Sequence, residues 1–231
     1  MCRMLGMLAA RPMPVRELLH EAPRCLAVLS NDHRDGWGIA ASIDGDWQVR
    51  RSTSCAARCS DYAALAELRA ELVVAHVRKA TVGRLSLENT HPFRRGPFVF
   101  AHNGTVAAIS ALVSRIAPEH LARVEGETDS ERLFAYILTH IDEAGAVERG
   151  VHRAVASMQA LGDIGSASFL LSCGERLYAY RCGRTLFTRM RGDVTIVASE
   201  PLTEEPWTEV PERGLVVLER PRTSSEHPLA A

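Results

Sequence analysis

The chain has 231 residues, which is enough for one large domain or two small ones. It carries 27 Lys and Arg against 28 Asp and Glu, and the net charge of −1 argues against binding to nucleic acid or to an acidic membrane surface. Its 6 cysteines do not require disulfides in a chain of this size, and no apolar run is long enough to span a membrane. We therefore expect a cytoplasmic protein with a single domain over residues 1–220 and a disordered polar tail over residues 221–231.

The first quarter of the chain predicts a strand, a helix and a hairpin. The apolar run over residues 3–10 predicts a strand whose N-terminal end presents Cys2. Pro14 can occupy the first turn of a following helix. Residues 39–51 predict a hairpin, because two strand-like runs flank an Asp-Gly pair.

The middle of the chain alternates helices and buried strands. We predict a helix over residues 61–72, with Asp61 as its cap, and then a continuous apolar strand over residues 73–77. A polar loop follows, and the next apolar run predicts a strand over residues 98–102. Apolar residues at helical spacing over residues 106–116 predict another helix.

The last hundred residues predict two long helices and then strands. A helix start at Thr128 precedes an apolar stripe that reaches Ile141, and a second helix is predicted over residues 151–161. Four short apolar runs then predict strands at 167–171, 177–180, 194–198 and 215–218. Spacings typical of hairpins favour antiparallel pairing, and fully apolar strands indicate sheets covered on both faces. The predicted fold class is α+β, with two stacked sheets and helices outside them.

Two stretches far apart in sequence carry most of the chemistry. A small residue at position 2 allows removal of the initiator methionine, which would leave Cys2 with a free α-amine and a thiol. These groups usually titrate near ~8 and ~8.5, so at neutral pH both lie close to the protonation states that activation of the thiol requires. His102, Asn103 and Gly104 follow an apolar strand, and a side-chain amide beside a glycine N–H is a donor pair suited to a tetrahedral intermediate.

Both stretches also have simpler interpretations. A cysteine at position 2 is most often an unreactive residue at a frayed terminus, and an Asn-Gly pair after a strand is most often a hairpin turn. Short motifs therefore need further context before they indicate a site.

Further motifs supply that context. In order along the chain they are Cys2, DGWGIA at 35–40, HVRKATVG at 76–83, NTHPF at 89–93, AHNG at 101–104 and GETDSE at 126–131. This series resembles the ordered motifs of the class II glutamine amidotransferases, which are N-terminal-nucleophile hydrolases. The resemblance is closest to small stand-alone members, and it implies a four-layer αββα sandwich of two mainly antiparallel sheets.

The resemblance implies a role for each matched residue. Arg78 matches the arginine that binds the α-carboxylate of the substrate, and Asp129 matches the aspartate that pairs with its α-ammonium group. Asn103 and Gly104 match the oxyanion donors. Thr81 matches a threonine of the loop that covers glutamine.

Other residues are candidates for positions around this site. They are His76, His91, His102, Asp35 and Trp37. The histidines would orient their neighbours, although a hydrogen-bonded structural role is equally compatible with each of them. No metal or cofactor is expected, since Cys55 and Cys59 lack nearby residues that would complete a zinc site.

The covering loop departs from the family pattern at two positions. Lys79 stands where members of the glucosamine-phosphate-synthase type have an aromatic residue, and Val82 stands where they have a histidine. We include Lys79 among the substrate-binding candidates. The altered loop could admit a substrate larger than free glutamine.

These observations lead to one principal hypothesis and two alternatives. The chain is predicted to be a thiol hydrolase in which Cys2 attacks the γ-carbonyl of glutamine or a γ-glutamyl amide, and water then releases glutamate from a thioester. One alternative is a glutaminase subunit that supplies ammonia to a separate synthase, since little sequence remains after residue 198 for an acceptor domain. The other is a non-catalytic module that binds a glutamyl compound.

Overall fold

A computed structural model describes residues 2–221, which form two antiparallel sheets and several helices. The strands are β1 (Arg3–Pro14), β2 (Trp37–Ile43), β3 (Asp46–Ser52), β4 (Arg69–Val77), β5 (Phe93–Arg95), β6 (Phe98–Val106), β7 (Gly165–Ser172), β8 (Arg176–Tyr180), β9 (Phe187–Arg191), β10 (Val194–Ala198), β11 (Thr208–Glu209) and β12 (Leu215–Glu219). The first sheet has the order β11-β9-β10-β1-β4-β2-β3, and the second has the order β12-β8-β7-β6-β5.

Two long helices and several short ones complete the structure. The α-helices are α1 (Leu26–Leu29), α2 (Ser60–Ala63), α3 (Ile109–Val113), α4 (Pro118–Leu121), α5 (Asp129–Ala144) and α6 (Val147–Ala160). A π-helical turn lies at Glu17–Glu21, and 3₁₀ turns lie at Ala56–Arg58 and Ala64–Glu67. None of the helices within residues 2–221 has the length and apolar character that crossing a membrane requires.

Three buried clusters separate four layers. The central cluster joins the facing surfaces of the sheets, with Met4 and Leu72 from the first and Val99 from the second. A second cluster packs α5 and α6 onto the outer face of the second sheet, and a third packs the short N-terminal helices onto the outer face of the first. This arrangement confirms the predicted αββα sandwich of two antiparallel sheets.

The two sheets approach each other closely at Gly6 in the middle of β1. A Cβ atom added to Gly6 would lie 2.5 Å from Leu177 Cδ2 and 3.3 Å from Leu170 Cδ1, both in the second sheet. It would also lie 2.8 Å from Val197 Cγ1 on the neighbouring strand β10. A side chain at position 6 would therefore require Leu177 and Val197 to shift.

Strand register brings three chain segments to one end of the first sheet. Val77 at the end of β4 pairs with Arg3 at the start of β1 and with Trp37 at the start of β2. Because these pairs are antiparallel, Cys2 lies beside the segment that follows Val77.

The predicted helix over residues 61–72 is confirmed only in its first part. Residues 60–67 are helical, as α2 and the 3₁₀ turn that follows it, but residues 69–72 belong to a strand. The helix α2 ends at Ala63, and β4 begins at Arg69, so that Leu72 lies in a strand rather than on a helix face. Asp61 does not cap α2, because Cys59 occupies the N-cap position without a side-chain hydrogen bond. Pairing of β4 with β1 and β2 explains the difference, since tertiary contacts override a local apolar spacing that is compatible with both structures.

Several boundaries also differ from the sequence prediction. The first strand continues to Pro14, where a helix was predicted to begin, and Val106 ends β6 instead of starting a helix. Three strands, β5, β9 and β11, were not predicted. All but the first residue of the predicted disordered tail lies outside the described residues.

The start of the long helix α5 is confirmed. Thr128 is the N-cap, and its Oγ1 accepts the Glu131 N–H at 3.4 Å. The Glu131 carboxylate in turn accepts the Gly126 N–H at 2.6 Å. The first bond satisfies a donor that the first helical turn leaves unpaired, and the second connects the helix to the segment before it.

Candidate active site

Cys2 directly precedes β1 and contacts the backbone of Lys79. The Lys79 N–H donates to Cys2 Sγ at 3.3 Å, and Sγ lies 3.4 Å from the Lys79 carbonyl oxygen. Cys2 lies on the same face of the strand as Met4, which is buried between the sheets. The first sheet therefore presents the thiol toward the second sheet.

Burial raises the pKa of the Cys2 thiol above its ordinary value. The Lys79 N–H and the charge of Arg78 favour the thiolate, but they only partly offset the loss of solvent. The group is therefore a neutral thiol near pH 7, and a base must remove its proton before it can attack a carbonyl.

Asn103 and Gly104 lie near the end of β6 in the second sheet. Asn103 shares the strand face of Val99 and Ala101, which line the central cluster. Its side chain is 4% exposed, and its Oδ1 is buried without a hydrogen-bond partner among the described residues. The amide is therefore oriented between the sheets with hydrogen-bonding capacity unused.

Position 104 accepts only glycine. Its φ of +142° is strained for other residues, and an added Cβ would lie 2.2 Å from the Ser166 carbonyl oxygen. The backbone of Ser166 in β7 occupies the space that a side chain at position 104 would need.

Two adjoining cavities meet at Cys2, Lys79, Thr81 and Gly104. The first, which we call the Arg184 cavity, has a volume of about 100 Å³ and is also lined by Arg3, Asn103, Thr105, Arg184, Thr185 and Ser199. The second, which we call the Arg78 cavity, has a volume of about 30 Å³ and is also lined by Arg78, Asn89, His91, His102, Thr128 and Asp129. The thiol therefore faces two spaces of different size and composition.

The Arg78 guanidinium is already engaged by the loop that follows it. Its Nη2 donates to the carbonyl oxygens of Val82 at 3.1 Å and Gly83 at 3.3 Å, and its Nη1 donates to that of Arg84 at 3.2 Å. Nε has no hydrogen bond among the described residues. The Arg78 cavity has room for about one water molecule, so a larger ligand requires movement of these carbonyl groups.

Asp35 and Asn89 hold this loop in place. Asp35 Oδ2 accepts the Ala80 N–H at 2.8 Å. Asn89 is 1% exposed; its Nδ2 donates to the Arg84 carbonyl at 3.1 Å, and its Oδ1 accepts the Glu127 N–H at 2.8 Å. Asn89 thus connects the loop to the segment that leads into α5, a role that its position in the NTHPF motif did not reveal.

Asp129 is the first residue of α5 and lines the Arg78 cavity. It is 8% exposed, and its Oδ2 accepts the Val106 N–H at 2.6 Å. The positive end of the helix dipole favours a carboxylate at this position. A negative charge therefore lies in the same cavity as the Arg78 guanidinium.

The three candidate histidines form a buried neutral group. Burial lowers the pKa of His76 to about 3 and that of His91 well below its ordinary value, and their ring centroids are 4.4 Å apart.

Burial also lowers the pKa of His102, against the opposing effect of Asp129. His102 Nδ1 lies 2.8 Å from Ser130 Oγ and Nε2 lies 3.2 Å from the Ser166 carbonyl, so this ring connects β6 to α5 and β7. His102 can therefore orient its neighbours. Both ring nitrogens of His76 and of His91 are buried without a hydrogen-bond partner among the described residues, which differs from the hydrogen-bonded role expected of them.

The structure brings most of the sequence candidates together at the two cavities. Those that line a cavity are Cys2, Arg78, Lys79, Thr81, His91, His102, Asn103, Gly104 and Asp129. His76 and Asp35 support that group from behind. Trp37 does not reach it, because it packs against Tyr62 on the outer face of the first sheet, with ring centroids 5.1 Å apart.

Sequence reasoning missed several lining residues, chiefly on the far side of the Arg184 cavity. Arg184 and Thr185 lie in the connection between β8 and β9, and Ser199 directly follows β10, so all three are beyond the motif region. Within residues 2–221, no group of three or more His, Cys, Asp or Glu is arranged to hold a metal ion.

Comparisons with known proteins identify relatives over most of the chain. The family model for class II glutamine amidotransferases matches residues 1–193. The γ-glutamyl-hercynylcysteine sulfoxide hydrolase of Mycolicibacterium smegmatis is 31% identical over 231 residues, an alignment that covers 94% of this chain and 95% of the relative. The family and this name indicate an amidohydrolase.

Solved structures support the same fold. A glutamine aminotransferase class-II domain protein from Silicibacter pomeroyi superposes with a TM-score of 0.67 at 22% identity and covers 95% of this chain and 100% of its own. The glutamine phosphoribosylpyrophosphate amidotransferase of B. subtilis superposes with a TM-score of 0.68 at 19% identity, where 94% of this chain matches 49% of that protein. These likenesses show an N-terminal-nucleophile hydrolase fold. With the family model and the relative at 31% identity, they establish that the chain belongs to the class II glutamine amidotransferases.

Proposed function

We propose that this protein hydrolyses the γ-amide bond of glutamine or of a γ-glutamyl amide, with Cys2 as the nucleophile. The observation that carries the proposal is that Cys2, Asn103 and Gly104, from two different sheets, line one cavity, and that Cys2 and Gly104 also line the second. Arg78 and Asp129 line one of these cavities and supply opposite charges for an amino-acid head group.

The chemistry begins with removal of Met1, which leaves a free amine on Cys2. The amine takes the proton of the thiol, and Sγ attacks the γ-carbonyl carbon. The C–N bond breaks as the amine passes this proton to the departing nitrogen. Water then attacks the thioester while the Cys2 amine takes one of the water protons, the C–S bond breaks, the amine passes this second proton to sulfur, and glutamate leaves.

The oxyanion of each tetrahedral intermediate would be held between the sheets. The Asn103 side-chain N–H and the Gly104 backbone N–H are the proposed donors. Both residues line the Arg184 cavity beside Cys2, and no hydrogen bond of Asn103 Nδ2 to another described residue has to be broken.

The glutamyl head would be recognised in the Arg78 cavity. Its α-carboxylate would bind the Arg78 guanidinium in place of loop carbonyl groups, and its α-ammonium would pair with Asp129. The turn at residues 82–84 must move to admit it, because these carbonyls now occupy Nη1 and Nη2. Lys79 and Thr81 border both cavities and would contact the substrate near the scissile bond.

The direct test is a panel of γ-glutamyl amides, including glutamine, with released glutamate as the readout. We expect turnover by the protein whose N-terminal residue is shown by mass spectrometry to be Cys2, and none by Cys2→Ala. Cys173→Ala is a matched control, since this thiol lies in the segment before β8 and lines neither cavity. Retention of Met1, or full activity of Cys2→Ala, would contradict the proposal.

A second candidate function is supply of ammonia to a separate synthase. It is favoured by the similarity in fold to the B. subtilis amidotransferase, of which this chain matches 49%. Co-purification of an acceptor enzyme, together with slow glutamine turnover by the isolated chain, would support this function. Fast turnover of a γ-glutamyl amide by the isolated chain would support hydrolysis instead.

A further inference from the structure

We propose that Arg184 binds an anionic group on the leaving amine, so that the preferred substrates are γ-glutamyl amides whose amine carries a carboxylate or a similar anion. γ-Glutamyl amino acids belong to this class, whereas glutamine does not. The inference rests on the proposed function, since it concerns the part of the substrate on the other side of the scissile bond.

The two cavities divide a substrate at the reacting carbon. If the glutamyl head lies beside Arg78 and its γ-carbonyl lies at Cys2, the leaving amine must extend into the Arg184 cavity. This cavity is about 100 Å³, compared with about 30 Å³ for the Arg78 cavity. An ammonia molecule alone would leave most of it unfilled, whereas a small amino acid would use the space.

The charges that line the Arg184 cavity all have one sign. Arg3, Lys79 and Arg184 are its cations, and none of its lining residues is acidic. Arg3 is ion-paired with Glu200, with Nε and Oε2 2.6 Å apart. The remaining positive charge favours an anionic ligand over a neutral or cationic one.

Arg184 has unused hydrogen-bonding capacity in this cavity. Its Nε is buried and has no hydrogen-bond partner among the described residues, and its guanidinium forms no ion pair with them. A buried guanidinium N–H without an acceptor is unfavourable, so a ligand that supplies an acceptor gains binding energy. A carboxylate matches the planar arrangement of these donors.

The backbone that carries Arg184 is held firmly. Ser168 Oγ accepts the Cys182 N–H at 2.9 Å and donates to the Arg184 carbonyl at 2.8 Å. Thr185 Oγ1 donates to the Ser199 carbonyl at 2.8 Å. Gly183 adopts a φ of +70°, which shapes the turn. These bonds reduce the ordering that ligand binding would require of the turn.

The test compares γ-glutamyl-glycine with γ-glutamyl-glycinamide. Their leaving groups differ in that glycine carries a carboxylate where glycinamide carries a neutral carboxamide. We expect kcat/KM to be on the order of 10-fold higher for the acid, as for a hydrogen bond to a charged group. Arg184→Gln should bring the ratio close to 1, and Arg184→Lys should retain part of it. Arg50→Gln, at an exposed position on β3 outside both cavities, is the matched control and should keep the original ratio.

Binding to Cys2→Ala separates this inference from the proposed hydrolysis. Calorimetry should show tighter binding of the acid than of the amide, and this preference should weaken as salt is added and disappear in the double variant with Arg184→Gln. Such a preference without turnover in the parent protein would contradict hydrolysis but support the anion site. Equal kcat/KM values for the two peptides, or equal or absent binding of both, would overturn the inference about Arg184.

Discussion

At the scale of single residues, the Asn103 amide combines burial with an absence of internal partners. Most buried amides are hydrogen-bonded, and an exception indicates a group held ready for another partner. Its position on β6 is fixed by pairing with Ser168 of β7, so that the amide needs little rearrangement when charge develops on a nearby oxygen.

We expect Asn103→Ala to lower kcat by about 10²- to 10³-fold, because one oxyanion donor would be lost. KM should change much less, since the bond forms mainly in the transition state. Steady-state kinetics with a γ-glutamyl amide provide the measurement. Asn31→Ala, at an exposed position away from both cavities, is the control and should leave kcat unchanged. An unaltered kcat in Asn103→Ala would exclude the proposed donor.

The raised pKa of Cys2 makes a second prediction at this scale. Alkylation by iodoacetamide requires the thiolate, so labelling of Cys2 should be slow at pH 7 and should accelerate through pH 9. Peptide mass spectrometry distinguishes Cys2 from the partly exposed Cys55, Cys59 and Cys173. Rapid labelling at pH 7 that no longer increases with pH would show that the thiol is already ionised.

At the scale of elements, Asn89 joins the loop after β4 to the segment before α5. Its removal would leave the part-buried Glu127 N–H and Arg84 carbonyl without their present partner. We expect Asn89→Ala to reduce the free energy of unfolding by about 1–3 kcal/mol, measured by urea denaturation. Asn31→Ala removes a single exposed bond to Val28 and should cost less than about 0.5 kcal/mol. Equal effects of the two variants would contradict the structural role of Asn89.

Elements with local signals were predicted well, and those decided by tertiary contacts were not. The α5 start was identifiable because Thr128 and Glu131 act within one helical turn. Leu72 fitted a helical spacing, but β4 lies between β1 and β2, whose backbone groups it pairs with along its length. No local pattern in the sequence of β4 predicts that β1 and β2 are its neighbours, because these strands are separated from β4 by tens of residues.

The same distinction applies to the site. Asn103 and Gly104 are adjacent in one motif, and Arg78 follows a recognisable strand, so sequence alone brought these residues to attention. Arg184 follows β8 and reaches the cavity only because the second sheet stacks on the first. Whether the Arg184 Nε–H has a hydrogen-bond partner depends on how the surrounding residues pack, and the sequence alone does not predict this.

At the scale of the whole molecule, the buried histidines make stability depend on pH. His76 has a pKa of about 3 in the folded protein, whereas the unfolded chain takes up a proton near the ordinary value of 6.5. The unfolded state therefore binds more protons between these values, and stability is lost as pH falls through this window. Near pH 5, His76 contributes a slope of about 1.3 kcal/mol per pH unit to the free energy of unfolding.

We expect His76→Gln to remove this contribution, so that unfolding free energies measured in urea at pH 4.5 to 5.5 depend less on pH. His152→Gln, on the exposed face of α6, is the control and should preserve the original slope. The comparison uses slopes rather than absolute stabilities, so a general loss of stability in His76→Gln does not affect it. An unchanged slope in that variant would contradict the assignment.

The close contact of Gly6 with the second sheet affects the distance between the two sheets, and the alignment of the proposed catalytic groups depends on this distance. The proposed nucleophile, Cys2, belongs to one sheet and the proposed oxyanion donor, Asn103, to the other, and Gly6 lies four residues along the chain from Cys2. A methyl group at position 6 would push the Leu177 side chain away from β1 or separate the two sheets at this point. A misplacement of about 1 Å between reacting groups can lower a rate by roughly 10²-fold. We therefore expect Gly6, which lines neither cavity, to influence how well Cys2 and Asn103 are aligned for the proposed reaction.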